Sequence, residues 1–178
     1  NLRRQAAVIF VFVTIVIDVL AMGIIIPVLP HLVLDFEGGN DASAAAIYGY
    51  FGLVFAAAQF FFAPVLGSLS DRFGRRPVLL ISVFGHGLDF ILMALAPSLA
   101  WLFVGRMISG ITAASFSTAN AYIADITPPE KRAQSFGLVG AAFGLGFVIG
   151  PAIGGIAGEI DPRLPFWIAA PLCLVNAA

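Results

Sequence analysis

Six predominantly apolar stretches, at about 6–30, 44–66, 78–96, 99–123, 135–158 and 164–178, follow one another with only short polar joints between them. A helix needs about 20 mostly apolar residues to cross the ~30 Å hydrocarbon core of a bilayer. With no water inside that core, a helix is also one of the few backbones that satisfies all its own hydrogen bonds. The pattern therefore predicts an all-α integral membrane bundle of six spans. Composition agrees: 60% of residues are hydrophobic and 11% charged, against about a quarter charged in soluble domains. The joints are too short for an inserted soluble domain, so consecutive spans pack antiparallel. The last stretch is only 15 residues, about 22 Å at the helical rise. It reads as a span cut short, in a chain that begins with Asn and reads as a fragment. The first stretch is too long for a signal-peptide core and reads as a retained span.

Loop charges give an orientation. Arg3, Arg4, Arg72, Arg75, Arg76, Lys131 and Arg132 fall on one set of alternate joints. The other set holds Asp35, Glu37, Asp41, Glu159 and Asp161 with a single base, Arg163. Lys/Arg-rich loops stay cytoplasmic, so the amino terminus is expected in the cytoplasm of a multi-pass protein. The net charge of −1 says nothing about nucleic acid, but the sequence lacks the basic stripe that a phosphate backbone requires, so no nucleic-acid partner is expected. Gly144-x-Gly146 lies mid-span and follows no strand, so it is not a phosphate loop, and ATP coupling within this chain is not expected. Cys173 has no partner for a disulfide or a metal and reads as a small lipophilic side chain. His31 and His86 stand alone and read as helix-end or packing residues. No cofactor, no metal site in the protein itself and no enzymatic activity are expected.

Three ionisable residues lie inside the spans: Asp18, Asp89 and Arg106. A charge at mid-bilayer costs at least about 2.5–3.5 kcal/mol, so each must face a partner or a wet cavity. Asp89 lies eight residues before Pro97 and Arg106 seven after Leu99. They sit at one level on adjacent spans, which leaves an ion pair or a shared water network open. One reading makes them a structural lock and Asp18 a polar contact of the first span. The other makes a carboxylate titrate as its surroundings change. Gln59 in the second span faces a cavity or makes a packing hydrogen bond.

Glycine spacing adds two features. Gly146, Gly150, Gly154 and Gly158 recur at i+4, with Gly140 and Gly144 before them. This predicts a flat helix face for close packing, kinked at Pro151. In the joint at 67–77, Gly67 invites another helix to approach, Asp71 ends the second span, and Asp125, ending the fourth on the same side, lies within reach of Arg75. A faint internal echo aligns Gly67, Asp71, Arg75 and Pro77 with Gly155, Glu159, Arg163 and Pro165 at identical offsets, as inverted repeats of three spans each would give.

These residues carry a family resemblance. Gly67-x-Leu69-x-Asp71-Arg72-x-Gly74-Arg75-Arg76 resembles the signature between helices 2 and 3 of the major facilitator superfamily. Asp18-x-x-x-x-Gly23-x-x-x-Pro27-x-x-Pro30 resembles the helix 1 motif of its drug/proton antiporter branch. Arg106-x-x-x-Gly110 resembles the intramembrane arginine motif, and Gly146-x-x-x-Gly150-Pro151-x-x-Gly154-Gly155 the antiporter motif. Within that branch, Ser70 to Pro77, Pro27 to Pro30 and Asp89-Phe90 are most similar to the tetracycline/proton antiporters.

The resemblance implies the amino-terminal six-helix half (residues 1–178) of a carrier with two such halves, in 3+3 inverted repeats, working by alternating access at the inner membrane. The partners it implies are a drug, protons, lipid and a carboxyl-terminal half, with the proton gradient as energy source. A divalent cation enters only as cargo chelated to the drug. By resemblance, Asp18, Asp89 and Arg106 help bind drug and couple protons, with Gln59 beside them. Gly67, Asp71, Arg72, Gly74, Arg75, Arg76 and Asp125 form a cytoplasmic gate. Gly146, Gly150, Pro151, Gly154 and Gly155 place the fifth span between the halves. The readings set against this are a sugar, peptide or organic-acid carrier and a non-transporting membrane receptor or assembly partner.

Overall fold

A computed structural model describes residues 2–113 and 115–178, with side chains from Ala7 onward except that of Ser115. Arg3 and Arg4 of the orientation argument thus fall outside the described side chains. Among the described residues there are only helices and turns: α1 (Leu2–Ile25), α2 (Val28–Phe36), α3 (Asp41–Phe73), α4 (Arg75–Ala94), α5 (Leu99–Ala113), α6 (Ser115–Ile126), α7 (Arg132–Ile160) and α8 (Leu164–Asn176). A single 3-10 turn, Pro129–Lys131, precedes α7. The first span is α1 with α2 and the fourth is α5 with α6. Five spans are long and apolar enough to cross a membrane, and α8 is a shorter apolar helix.

Local chemistry sets the breaks. Pro27 has no backbone donor for the turn before it, so α1 ends at Ile25 and α2 restarts at Val28. The first span therefore runs on to Phe36 rather than stopping at Pro30. Asn40 caps α3, its side chain accepting from the Ser43 amide at 3.2 Å, as a capping Asn does. The charged joint expected at 67–77 is not a loop. Helix α3 continues through Asp71 and Arg72, and α4 begins at Arg75. The whole turn is Gly74, at φ 99°, a conformation that side-chain-bearing residues rarely adopt. Helix α7 runs unbroken through Pro151.

Helix α1 is the hub. On one side its Val19, Gly23 and Ile24 meet the glycine face of α7. A Cβ on Gly150 would sit 2.6 Å from the Gly23 Cα, and one on Gly154 would overlap the Ile24 carbonyl oxygen. Gly158 continues the face against Val28. Gly140, Gly144 and Gly155 meet nothing within 4 Å, so only part of the glycine set belongs to this contact. Of the glycines in the antiporter-like motif, Gly146, Gly150 and Gly154 pack on α1 and Gly155 does not. On α1's other sides lie two apolar clusters. One gathers Ile24, Leu29, Phe90, Met93, Leu102 and Phe166, and the other Val11, Ile15, Leu79, Ile123 and Val139. Gly110 lets α5 meet the backbone of α3 at Phe55. Phe60 and Phe61 on α3 and Val148 and Ile156 on α7 point outward.

Backbone contacts of this kind leave no room to yield. Overpacking a tight site costs about 1–3 kcal/mol. Gly150→Ala is expected to lower the thermal unfolding midpoint in detergent by several degrees, whereas Gly144→Ala is not, and a melting comparison of the two variants checks it.

Candidate functional site

Four helices bring polar side chains together at mid-span. Asp18 comes from α1, His86 and Asp89 from one face of α4, Arg106 and Ser109 from α5, and Cys173 from α8. Asp18, His86 and Asp89 are each at most 3% exposed. His86 Nδ1 lies 3.1 Å from Asp18 Oδ1, and the Cys173 thiol donates to the same oxygen at 3.8 Å. Ser109 donates to Asp89 Oδ2, while Asp89 Oδ1 has no hydrogen-bond partner. The Arg106 guanidinium stands 4.5 Å from the centre of the Phe55 ring, and its buried Nε has no partner.

The ion pair open between Asp89 and Arg106 therefore does not form. The reason is rotational. Gly105 and Ser109 lie four apart on one face of α5, and that face meets Asp89: a Cβ on Gly105 would lie 3.2 Å from Asp89 Oδ1. Arg106 is one residue further, about 100° around the helix, and points toward α3. The two charges share a depth but not a direction.

His86 and Cys173 also correct the sequence reading. Neither is a mere packing residue, because both contact Asp18. The available signal was that His86 and Asp89 are three apart in one span and so share a helix face. His31 bonds its own helix, Nδ1 lying 2.7 Å from the Pro27 carbonyl oxygen. A cavity of about 70 Å³ opens beside the cluster, lined by His86, Arg106, Tyr48, Phe55, Phe90 and residues of α1 and α2. Gln59 is not part of it. Its amide donates to the Ala113 carbonyl at 3.4 Å, and it lines a separate open groove of about 700 Å³ with Phe60, Phe61 and Phe116. Among the described residues no group of three or more His, Cys, Asp or Glu is placed to hold a metal.

At the end of the bundle where α3 meets α4, Arg75 draws three partners together. Its Nε donates to Asp125 at 3.0 Å, and its Nη1 to Asp71 at 2.6 Å and to the Ser70 hydroxyl at 2.7 Å. Asp71 and Asp125 are more than half exposed, so each pair is worth only about 0.2–1 kcal/mol. Arg72 and Arg76 do not join this cluster; they lie over the rings of Phe73 and Phe10 at 5.4 and 4.8 Å. Gly67 meets nothing within 4 Å, so no described helix of this chain makes the close approach expected there. At the other end Arg163 donates to the carbonyls of Ala94 and Ala96 at 2.8 and 2.9 Å, closing the carboxyl end of α4. Arg163 echoes Arg75 in sequence but holds backbone rather than acids.

Among the described residues, Ser109 is the side chain that donates to Asp89. Leaving a buried acceptor without its donor costs about 1–3 kcal/mol, more for a charged group. Ser109→Ala is expected to lower the unfolding midpoint, and combining it with Asp89→Leu, which removes the acceptor, should recover part of the loss in a double-mutant melting series.

The family model described as Major Facilitator Superfamily matches residues 11–178. The chain is 48% identical over 160 residues to the tetracycline resistance protein, class B, of Escherichia coli, covering 90% of this chain and 39% of that protein. It is 46% identical over 175 residues to the class C protein of Escherichia coli, covering 98% and 44%. Among solved structures it is similar to the human organic anion transporter MFSD10 (TETRAN), with TM-score 0.83 and 26% identity over 98% of this chain and 46% of that one. The chain thus spans less than half the length of these relatives. Its helices have the architecture of the amino-terminal six-span bundle of that fold. The match over nearly all its length establishes that the chain is an integral membrane protein belonging to the Major Facilitator Superfamily, a family of transporters rather than enzymes.

Proposed function

We propose that this chain is the amino-terminal half of a proton-driven drug exporter, with a tetracycline-like substrate, that works by alternating access in the inner membrane. The observation that carries the reading is the set of ionisable side chains, Asp18, Asp89 and Arg106, held at mid-span in a chain nearly half identical to tetracycline resistance proteins. A scaffold gains nothing from the cost of such groups, whereas a proton-coupled carrier needs them. Asp89 has one carboxylate oxygen without a hydrogen-bond partner, which gives it a place to take up a proton. Arg106 borders an internal cavity and supplies the positive charge an anionic or chelated drug would meet. A divalent cation would travel with the drug as cargo. Gln59 lines the open groove between α3 and residues of α5 and α6, suited to the aromatic body of a substrate.

The Arg75 cluster is the gate of this reading. It ties α3, α4 and α6 together at the end that the basic joints place in the cytoplasm, the amino terminus lying on the same side. Pairs present in one state and absent in the other bias a two-state equilibrium by their own strength. Exposed acid–arginine pairs are weak enough to break on each cycle. The gate is thus Asp71, Arg75 and Asp125, with Gly74 making the turn between α3 and α4. The antiporter-motif glycines fasten α7 to α1, so α7 and Asp18 move as one body. Gly155 and the outer face of α7 are left for a carboxyl-terminal half.

In everted vesicles containing the full-length carrier, Asp18→Asn and Asp89→Asn are each expected to lower proton-driven tetracycline uptake at least about tenfold, the lower range for loss of a positioned proton-transfer group. Uptake at the parent level in both variants would refute proton coupling through these acids. Expressed alone, the chain is expected to insert and export nothing until a carboxyl-terminal six-span half is co-expressed, which a drug-accumulation assay in cells measures.

A further inference from the structure

The imidazole of His86 bridges two environments. Its Nδ1 contacts Asp18 Oδ1 at 3.1 Å on the α1 side. The same ring lines the cavity that borders Arg106 and Tyr48. Phe90 lies against it, with centroids 4.6 Å apart and planes 31° apart, and fixes the plane of the ring. Asp18 itself does not line the cavity and is 3% exposed. At about 70 Å³ the cavity has space for about two waters, each taking ~30 Å³ of liquid volume.

We propose that His86 is the proton relay through which Asp18 is loaded and unloaded from the internal cavity. This rests on the proton-driven reading above. A neutral imidazole donates at one nitrogen and accepts at the other. With Nδ1–H donating to the Asp18 carboxylate, Nε2 holds the free lone pair. A proton from a cavity water bonds to Nε2, and the Nδ1–H bond breaks as that proton passes to Asp18. The products are a neutral imidazole protonated at Nε2, a neutral Asp18 carboxyl and a hydroxide in the cavity, which the aqueous pathway neutralises. Unloading reverses each step. No ring flip is needed, because in alternating access the cavity, not the ring, changes the side to which it opens.

The charged and titratable groups around the ring come from five helices. They are Asp18 on α1, Tyr48 on α3, Asp89 one turn along α4, Arg106 on α5 and the Cys173 thiol on α8. A purely structural role would need only the hydrogen bond between α1 and α4. Asparagine can keep that bond through its side-chain amide, but it cannot relay a proton.

The test uses the full-length carrier in everted vesicles, with tetracycline uptake measured between about pH 5 and 8, where an imidazole exchanges its proton. His86→Asn is expected to lower uptake about tenfold, the lower range for loss of a positioned proton-transfer group, and to flatten its pH dependence, while the unfolding midpoint stays near the parent value. A pH profile in His86→Asn that matches the parent overturns the relay and leaves the exporter reading standing. Parent uptake that ignores a protonophore overturns the exporter reading, and the relay with it. If His86→Asn does not fold, 15N-histidine NMR of the parent decides. A His86 ring signal that moves over the same pH range as uptake, and loses that response in Asp18→Asn, supports the relay. A signal that is fixed across the range overturns it.

Discussion

The backbone contact between α1 and α7 governs where the chemistry of this bundle sits. Gly23, Gly150 and Gly154 let the two helices touch with no side chain between them. Hydrocarbon offers no hydrophobic drive for helices to associate, so close contact of small residues has to supply the attraction. Once one side of α1 is committed to α7, its remaining sides turn to α8 and α6, and its side chains reach α4. Asp18 then lies against His86 and Cys173, and Asn176 of α8 donates to the Thr14 carbonyl at 3.1 Å. The register of one glycine ladder thereby fixes the environment of an acid on the neighbouring helix.

Depth in the membrane was legible in the sequence, while direction was not. Counting residues from the span ends placed Asp89 and Arg106 at one level, because the helical rise is constant. Which way each side chain points depends on which face of α5 meets α4. Gly105, Ser109 and Thr112 trace a small-residue stripe on α5 at i, i+4 and i+7, the spacing of one helix face. That stripe marks the packed side and leaves Arg106 off it. The i+4 glycines of α7 were equally readable, but not their partner, since α1 shows only Gly23 in the matching stretch. Composition marked 67–77 as a joint because charge and glycine accumulate there. Yet Asp71, Arg72 and Arg75 lie at helix ends, where polar residues accompany a helix out of the bilayer. One left-handed glycine makes the turn.

Two kinds of arginine contact hold the ends of the helices, and on the proposed reading they bear on how a carrier moves. Arg163 grips carbonyls at the end of α4, and Arg132 grips those of Ala124 and Thr127 at the end of α6. These acceptors belong to the backbone of rigid helices and carry part of the helix dipole, so they keep α4 and α6 capped through a rigid-body motion. Arg75 instead holds two exposed acids on two other helices. Side chains in water exchange partners at little cost. On the proposed reading the Arg75 side-chain pairs are suited to be made and lost within a cycle, and the backbone grips of Arg163 and Arg132 to persist through it.

The same distinction separates packed from unpacked glycine. Gly146, Gly150 and Gly154 would clash with α1 if they carried a Cβ, whereas Gly67 on α3 and Gly140 and Gly144 on α7 have open space. An apolar helix gains nothing from an empty glycine facing lipid, where a leucine would be equally soluble and a better helix former. Open glycines beside the outward-facing Phe60, Phe61 and Val148 make sense where another helix approaches closely. On the proposed reading that helix belongs to the carboxyl-terminal half. Its approach to Gly67 would then lie one helical turn from Asp71, coupling the fit between halves to the ion pairs that hold this end shut.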